Sequence, residues 1–510
     1  MRLPGFFRVL AGAAALASLT GCASSVRAEP TRDVLGVAHA AGKYNFTDKD
    51  FLNEGADELI ALGTRVIKVW FGPDAATYYP FNSDWEPPAE DLVQVAEKPY
   101  YRALFAKPFT TYILVLTRSE GASYFWDGMT DEEVAAERQQ VYELARHLLT
   151  AYAGTGKTFV LQNWEGDHLL RKDLADGEAP SADRLRGMAD WWNARQAGVG
   201  QARREVRVQG VQVLHAAEVN HLRRAMAGEV TATNDVIPHT RADLYSYSSW
   251  DIEFDRARLT QALDYLERKA PDSRLFGRKN LYVGEFGAAK DHLDGRQAKR
   301  ELIRELAVTA LAWGVRYAVY WQVFCNEPAR EYEGRPTNDD MRGFWLIRPD
   351  GTRSANWYDF LAFNATALHR ISLKARSGKF VAAADGGGGP LQANQSRLGP
   401  WGTFTIQDLS GGPLRSGDKV RLQAHNGFYL GEAPDGDLAA DRRAAGEQET
   451  FVLRRTTGAE RAPVRGGNPV IFEAPSGRLL TVGEDGTLRA LGRRAGPDET
   501  FRVGFPERER

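Results

Sequence analysis

Eight short apolar, β-branched runs alternate with longer amphipathic stretches between residues 34 and 324, and this rhythm limits what the chain can fold into. The runs are VLGVAHA (34–40), RVIKVWF (65–71), TYILVLT (111–117), TFVLQNWE (158–165), VQGVQVLHAAEVN (208–220), LYSYSSWD (244–251), LYVGEFG (281–287) and YAVYWQVF (317–324). Between them lie helical patterns over 51–63, 131–154 and 257–270. The second opens on Thr130-Asp131-Glu132-Glu133, a capping sequence, and the first ends at Gly63, a natural C-cap. Eight parallel strands each followed by a helix predict an α/β fold, a (β/α)8 barrel over residues 32–368, in which 343–367 supplies a closing strand and helix. No glycine-rich phosphate loop follows the first run, which argues against a doubly wound sheet.

Beyond residue 368 the helical periodicity stops and glycine becomes frequent. Three stretches then align: ISLKARSGKFVAA (371–383), VRLQAHNGFYLGE (420–432) and VIFEAPSGRLLTV (470–482). Each leads to a matched ending, with Phe404, Phe451 and Phe501 spaced by 47 and 50 residues. The Ser-Gly and Asn-Gly pairs at 377–378, 426–427 and 476–477 read as hairpin turns. Three such units predict an all-β β-trefoil over 370–506, with the repeated phenylalanines in a shared core.

The amino terminus reads as an address. Residues 1–22 carry Arg2 and Arg8, an apolar run from Val9 to Leu19, and Leu-Thr-Gly-Cys at the end. That is a secretory signal with a lipobox, in which Cys22 is the lipidated residue. The expected location is therefore outside the cytoplasm, on the outer membrane of a Gram-negative bacterium through the lipid on Cys22. Cys325 is the remaining cysteine, so no intramolecular disulfide is expected. A formal net charge of −2 with mixed signs advertises no nucleic-acid partner, and a monomer is expected. Twelve Trp and 18 Tyr suit an exported chain that handles sugars, whose C–H faces stack on aromatic rings.

In such barrels chemistry sits at the C-terminal ends of the strands. The runs end in His39, Trp70, Asn163 and Glu165, Glu218 and Asn220, Trp250 and Asp251, Glu285, and Trp321. Cleaving a glycosidic bond takes two carboxyl groups, one to give a proton and one to attack or to activate water. Glu165 ends the fourth run and Glu285 the seventh. Glu218, at the end of the fifth, is the rival for the acid. No His/Cys/Asp cluster has metal-site spacing and no cofactor is expected.

With Glu at the ends of runs four and seven, Gly-Glu-Phe-Gly around Glu285 and YAVYWQVF as the eighth run, the chain resembles the clan A glycoside hydrolases, family 5 in particular. The resemblance implies a retaining hydrolase of a β-linked glucan or a related polysaccharide or oligosaccharide, with Glu285 as nucleophile and Glu165 as acid/base. It also implies Trp321 beneath the reacting sugar, and Tyr245 or Tyr247 hydrogen-bonded to Glu285 to hold it ionised. Asn163, Trp250, Asn220, Glu218 and His39 are further expected substrate contacts. The family pattern departs at two places: Asn163 stands two residues before Glu165 rather than one, and the arginine of strand two appears as Lys68. If strand alternation holds, Asn163 and Glu165 point to the site while Trp164 points away. Gly284 and Gly287 are expected to give a sugar room and to form a tight turn. The repeats beyond 370 resemble fascin-like trefoils, which implies polysaccharide holding or a structural cap. The alternative function is a non-catalytic carbohydrate-binding surface lipoprotein.

Overall fold

The computed structural model describes residues 29–117, 123–175, 177–252, 255–290 and 296–506. The expected signal segment 1–22, with Cys22, lies outside the described residues. No helix among the described residues is long and apolar enough to cross a membrane.

All eight apolar runs form strands of one closed parallel barrel. These are β1 (Leu35–His39), β2 (Val66–Phe71), β3 (Thr111–Leu116), β4 (Lys157–Gln162), β5 (Val211–Val219), β6 (Leu244–Ser248), β7 (Leu281–Phe286) and β8 (Ala318–Tyr320). β8 pairs back onto β1 through Leu35↔Ala318 and Val37↔Tyr320, which closes the ring. The helices around it include α1 (Phe51–Ala61), α2 (Asp131–Ala151), α3 (Ala182–Glu205), α4 (Arg256–Lys269), α5 (Arg296–Trp313) and α6 (Ala355–Asn364). Thr130 and Glu133 form the expected capping box on α2, and Gly63 follows α1 at φ +83°. Of the closing strand and helix expected over 343–367, α6 is present. The eighth strand is the short Ala318–Tyr320, and residues 343–354 form a loop instead.

The chain then enters twelve antiparallel strands: β9 (Ala367–Lys374), β10 (Phe380–Ala383), β11 (Leu391–Gln395), β12 (Thr403–Asp408), β13 (Asp418–Gln423), β14 (Tyr429–Glu432), β15 (Leu438–Arg442), β16 (Phe451–Arg455), β17 (Pro469–Glu473), β18 (Leu479–Val482), β19 (Leu488–Gly492) and β20 (Phe501–Gly504). Strands β9, β12, β13, β16, β17 and β20 pair in that order and return to β9. Hairpins β10–β11, β14–β15 and β18–β19 cap the ring. That is the trefoil arrangement, and Phe404, Phe451 and Phe501 are buried together in its core.

The trefoil packs on α4 and α5 of the barrel through the first and second of its three repeats. Arg370 donates to the carbonyls of Ala312 and Trp313, and Thr405 Oγ1 donates to Ala312, so trefoil side chains take up carbonyls at the end of α5 that have no helical partner. Arg256 on α4 lies 4.4 Å from the centre of the Phe428 ring. Gly427 abuts α5 so closely that a Cβ there would stand 2.9 Å from Thr309 Cα. Tyr429 joins the barrel's apolar core rather than the trefoil's.

Candidate active site

The barrel interior beneath its C-terminal mouth is polar, and its side chains satisfy one another. Lys68 on β2 points inward with Nζ 2.8 Å from Glu285 Oε1, 3.2 Å from Glu218 Oε2 and 3.2 Å from the Gly284 carbonyl. Glu218 on β5 is fully buried. It accepts from Ser246 Oγ at 2.6 Å, Gln162 Nε2 at 3.1 Å and the Glu165 backbone N–H at 3.2 Å. Tyr282 on β7 donates to Gln162 Oε1 and so orients that amide. Burial alone would lower the Lys68 ammonium, but the charges of Glu218 and Glu285 hold it above its ordinary value.

A local irregularity in β7 brings Glu285 into this network. Val283 pairs with Tyr247, yet the next register pair is Glu285 with Ser248, so β7 carries one extra residue, Gly284. A regular strand with Tyr282 facing inward would turn Glu285 toward the helices. The bulge turns it inward and leaves Phe286 against Phe360 of α6. Gly284 must be glycine for a different reason from the expected sugar clearance: a Cβ there would lie 2.0 Å from Ser246 Oγ and 2.1 Å from Glu218 Oε2. Gly287 likewise clears protein rather than sugar, since its Cβ would meet the Trp321 carbonyl at 2.9 Å and the Trp250 ring at 3.2 Å.

Glu165 stands opposite Glu285 across one cleft. It lies past the end of β4 with φ +28°, a conformation that side-chain-bearing residues rarely adopt. Ser248 Oγ lies 2.8 Å from Glu165 Oε1 and 3.2 Å from Glu285 Oε2. Two oxygens that share one hydroxyl at these distances stand at most about 6 Å apart. Asn220 Nδ2 donates to the other Glu165 oxygen at 3.3 Å, and Trp250 Nε1 donates to Glu285 Oε2 at 3.0 Å.

One hydroxyl carries one proton, so Ser248 cannot donate to both carboxylates at once. The arrangement is satisfied when one of them is protonated and gives its own proton to Ser248 Oγ. Burial pushes Glu165 up to about 8, the charge of Glu285 adds to the rise, and the Ser248 bond works against it. Burial also raises Glu285, with the Lys68 ammonium and the Trp250 N–H pulling it down. The expected depressed value for Glu285 is therefore not found, because burial outweighs its donors. Among the described residues the only cation bonded to either carboxylate touches Glu285, so the ionised member of the pair is Glu285 and the proton rests on Glu165.

The cleft above them has a volume of about 530 Å³ and is walled largely by rings: Trp70, Tyr78, Trp164, Trp250, Trp321 and Phe344. Asn326 and the paired Glu327 and Arg342 supply its polar side. Trp70 and Trp321 meet edge to face with ring centres 5.3 Å apart.

Several sequence expectations change here. Tyr245 and Tyr247 do not reach Glu285; their hydroxyls bond Thr240 and Asp251. Ser246 and Ser248, on the alternate positions of the same strand, are the inward residues. Asn163 is no free sugar contact, because it clamps the Glu218 backbone, donating to its carbonyl and accepting from its N–H at 3.0 Å each. Strand alternation fails past Gln162, where β4 ends, so Trp164 lines the cleft instead of pointing away. Glu218 lies beneath the cleft and faces Lys68 rather than a ligand. His39 is fully buried between Phe51 and Phe324, donating from Nε2 to the Phe51 carbonyl, and burial takes it down to about 4. His215 is fully buried as well. Trp321 and Trp250 line the cleft, and Asn220 reaches it only through Glu165.

Comparison with known structures gives low identities. An endoglucanase of broad specificity from Bacteroides salanitronis is 12% identical over 66% of this chain and 93% of its own, with a TM-score of 0.40. A β-glucuronidase from Bacteroides uniformis is 9% identical over 89% of this chain and 44% of its own, with a TM-score of 0.39. An SDF2-like protein from Arabidopsis thaliana is 12% identical over 26% of this chain and 91% of its own, with a TM-score of 0.23. The barrel and trefoil assignments rest on the strand order described above. No curated protein matches the chain. The family model of the Fascin domain matches residues 379–503, so the trefoil part of the chain is similar to that family of modules.

Proposed function

We propose that this chain is a retaining glycoside hydrolase that acts on a β-linked glucan or a related polysaccharide. The observation that carries the reading is the Ser248 hydroxyl shared by Glu165 and Glu285, which fixes two carboxyls at a spacing suited to direct attack rather than to an intervening water. Glu285 forms a bond to the anomeric carbon while the bond to the leaving oxygen breaks and the Glu165 proton moves to that oxygen. Water then gives its proton to the Glu165 carboxylate and attacks the same carbon, which releases Glu285. The ring-lined cleft supports a sugar substrate, since stacked rings bury the C–H faces of pyranoses. Residues 1–22 would direct export, with a lipid on Cys22 as the anchor to the outer membrane, and the trefoil would hold polysaccharide or cap the barrel.

The test pairs the wild type with Glu285→Gln on soluble β-glucans, with the first-formed anomer followed by NMR. Loss of turnover by about a thousandfold or more, with the product initially of retained configuration, is the expected result. A Glu285→Gln protein that hydrolyses at a comparable rate, or an inverted first product, overturns it.

A further inference from the structure

The loop beyond β8 holds a second cavity, of about 460 Å³, which the two-carboxylate chemistry does not use. Residues 342–345 form a wall one residue thick between the two spaces. Arg342 and Phe344 line the cleft, whereas the Gly343 carbonyl turns to Lys299 Nζ and Trp345 lines the second cavity. Gly343, at φ +96°, turns the chain between them, and the Trp345 N–H bonds back to its carbonyl.

The second cavity is cationic. Among its described lining residues, Lys290, Lys299, Arg300 and Arg348 face a single carboxylate, Asp339. Arg300 is taken up by Asp359 through two bonds of 2.8 Å. Lys290 is held by the carbonyls of Asn338 and Asp339, while Arg348 donates to the Thr352 hydroxyl beside the Asp350 carboxylate.

Helix α6 begins at the same place. Its N-cap is Ser354, and a serine there ordinarily accepts from a first-turn N–H. Here the hydroxyl makes no capping bond; Ser354 is 6% exposed, its oxygen has no partner, and it lines the cavity. A buried hydroxyl left without a partner is costly, and first-turn N–H groups add a partial positive charge beside it.

We propose that this cavity binds an acidic sugar unit through its carboxylate or sulfate. Ser354 Oγ and the start of α6 take the oxyanion, while Lys290 and Arg348 neutralise it. A space of this size, with Asn356 and Trp345 in its lining, accommodates a pyranose ring and not just the oxyanion. The choice of a sugar as the bearer of the charge rests on the glycoside hydrolase reading; the anion site does not.

Calorimetric titration of the intact protein with methyl β-glucuronide, methyl β-glucoside and inorganic sulfate tests this. The glucuronide should bind about tenfold or more tighter than the glucoside. Ser354→Ala and Arg348→Gln should each weaken the glucuronide by about tenfold, whereas Glu285→Gln should leave it unchanged. Because the Ser354 hydroxyl makes no bond, Ser354→Ala should also melt no lower than the wild type. Glucuronide binding no tighter than glucoside, or binding unaltered in both cavity variants, overturns the site. Sulfate binding as tightly as the glucuronide overturns the sugar and leaves a bare anion site. A failure of the hydrolase reading shows itself separately, in the turnover of Glu285→Gln.

Discussion

Replacing Glu165 by Gln should remove much of the pH dependence of the barrel's stability. Burial and the charge of Glu285 lift this carboxyl from 4.5 to about 8 in the folded protein, so the folded state keeps a proton that the unfolded chain releases. Below pH 4.5 both states hold the proton and nothing is lost. From there to pH 8 the wild type loses about 1.4 kcal/mol per pH unit, a total on the order of 5 kcal/mol, and above pH 8 the loss levels off. At 9% exposure, solvent screening reduces this little. Gln carries no charge at any pH; its amide N–H takes the place of the proton given to Ser248 Oγ, and its oxygen still accepts from Asn220. Thermal melts of both proteins between pH 5 and 9 read the difference. Tryptophan fluorescence is the apt signal because eleven of the twelve Trp, all but Trp401, lie in the barrel. The two melting curves should nearly coincide at pH 5 and separate up to pH 8, with the variant the more stable, and then run parallel. A gap that stays constant from pH 5 to 9, or a wild type that overtakes the variant, refutes the reasoning. The alkaline limb of kcat/KM in the wild type should fall near the same pH.

Two further substitutions probe the groups around Glu285. Lys68→Met leaves Glu218 and Glu285 buried without their cation, so chemical denaturation should show a loss of about 3–5 kcal/mol, and the acid limb of kcat/KM should move to higher pH. Trp250→Phe keeps a ring against Phe344 but removes the N–H on Glu285 Oε2, so kcat/KM should fall by about tenfold to a hundredfold with little change in stability.

The barrel was legible because all eight runs carry a local signal, an apolar stretch with a polar or ring-bearing end. The two carboxylates were legible for the same reason, each standing at the end of a run. What the strand pattern misplaced depends on events that a period of two does not contain. The bulge at Gly284 turns Glu285 inward, and β4 stops at Gln162, so neither Asn163 nor Trp164 follows alternation. In LYSYSSWD the tyrosines drew the eye, although the same alternation that sets them on one face sets Ser246 and Ser248 on the other. Reading that strand for its small polar residues would have found Ser248. Arg342, Phe344, Asn326 and Glu327 come from the loop after β8, whose position no periodicity announces. Ser354 carries no mark in the sequence either: an N-cap serine is commonplace, and only its empty hydroxyl sets it apart.

The trefoil's threefold repetition ends where it meets the barrel. At equivalent turns the first and third repeats carry Lys379 and Arg478, both exposed, where the second carries Phe428. A Cβ on Gly378 or Gly477 would meet no atom within 4 Å, whereas one on Gly427 would strike α5. Three copies that began alike are therefore no longer interchangeable. The second is bound by the surface of another domain and can change only in step with Arg256 and Thr309. The first meets the barrel through Arg370 and Thr405 on its ring strands but leaves its hairpin turn to solvent, as does the third, so variation, and any new binding property of the module, has two turns in which to accumulate.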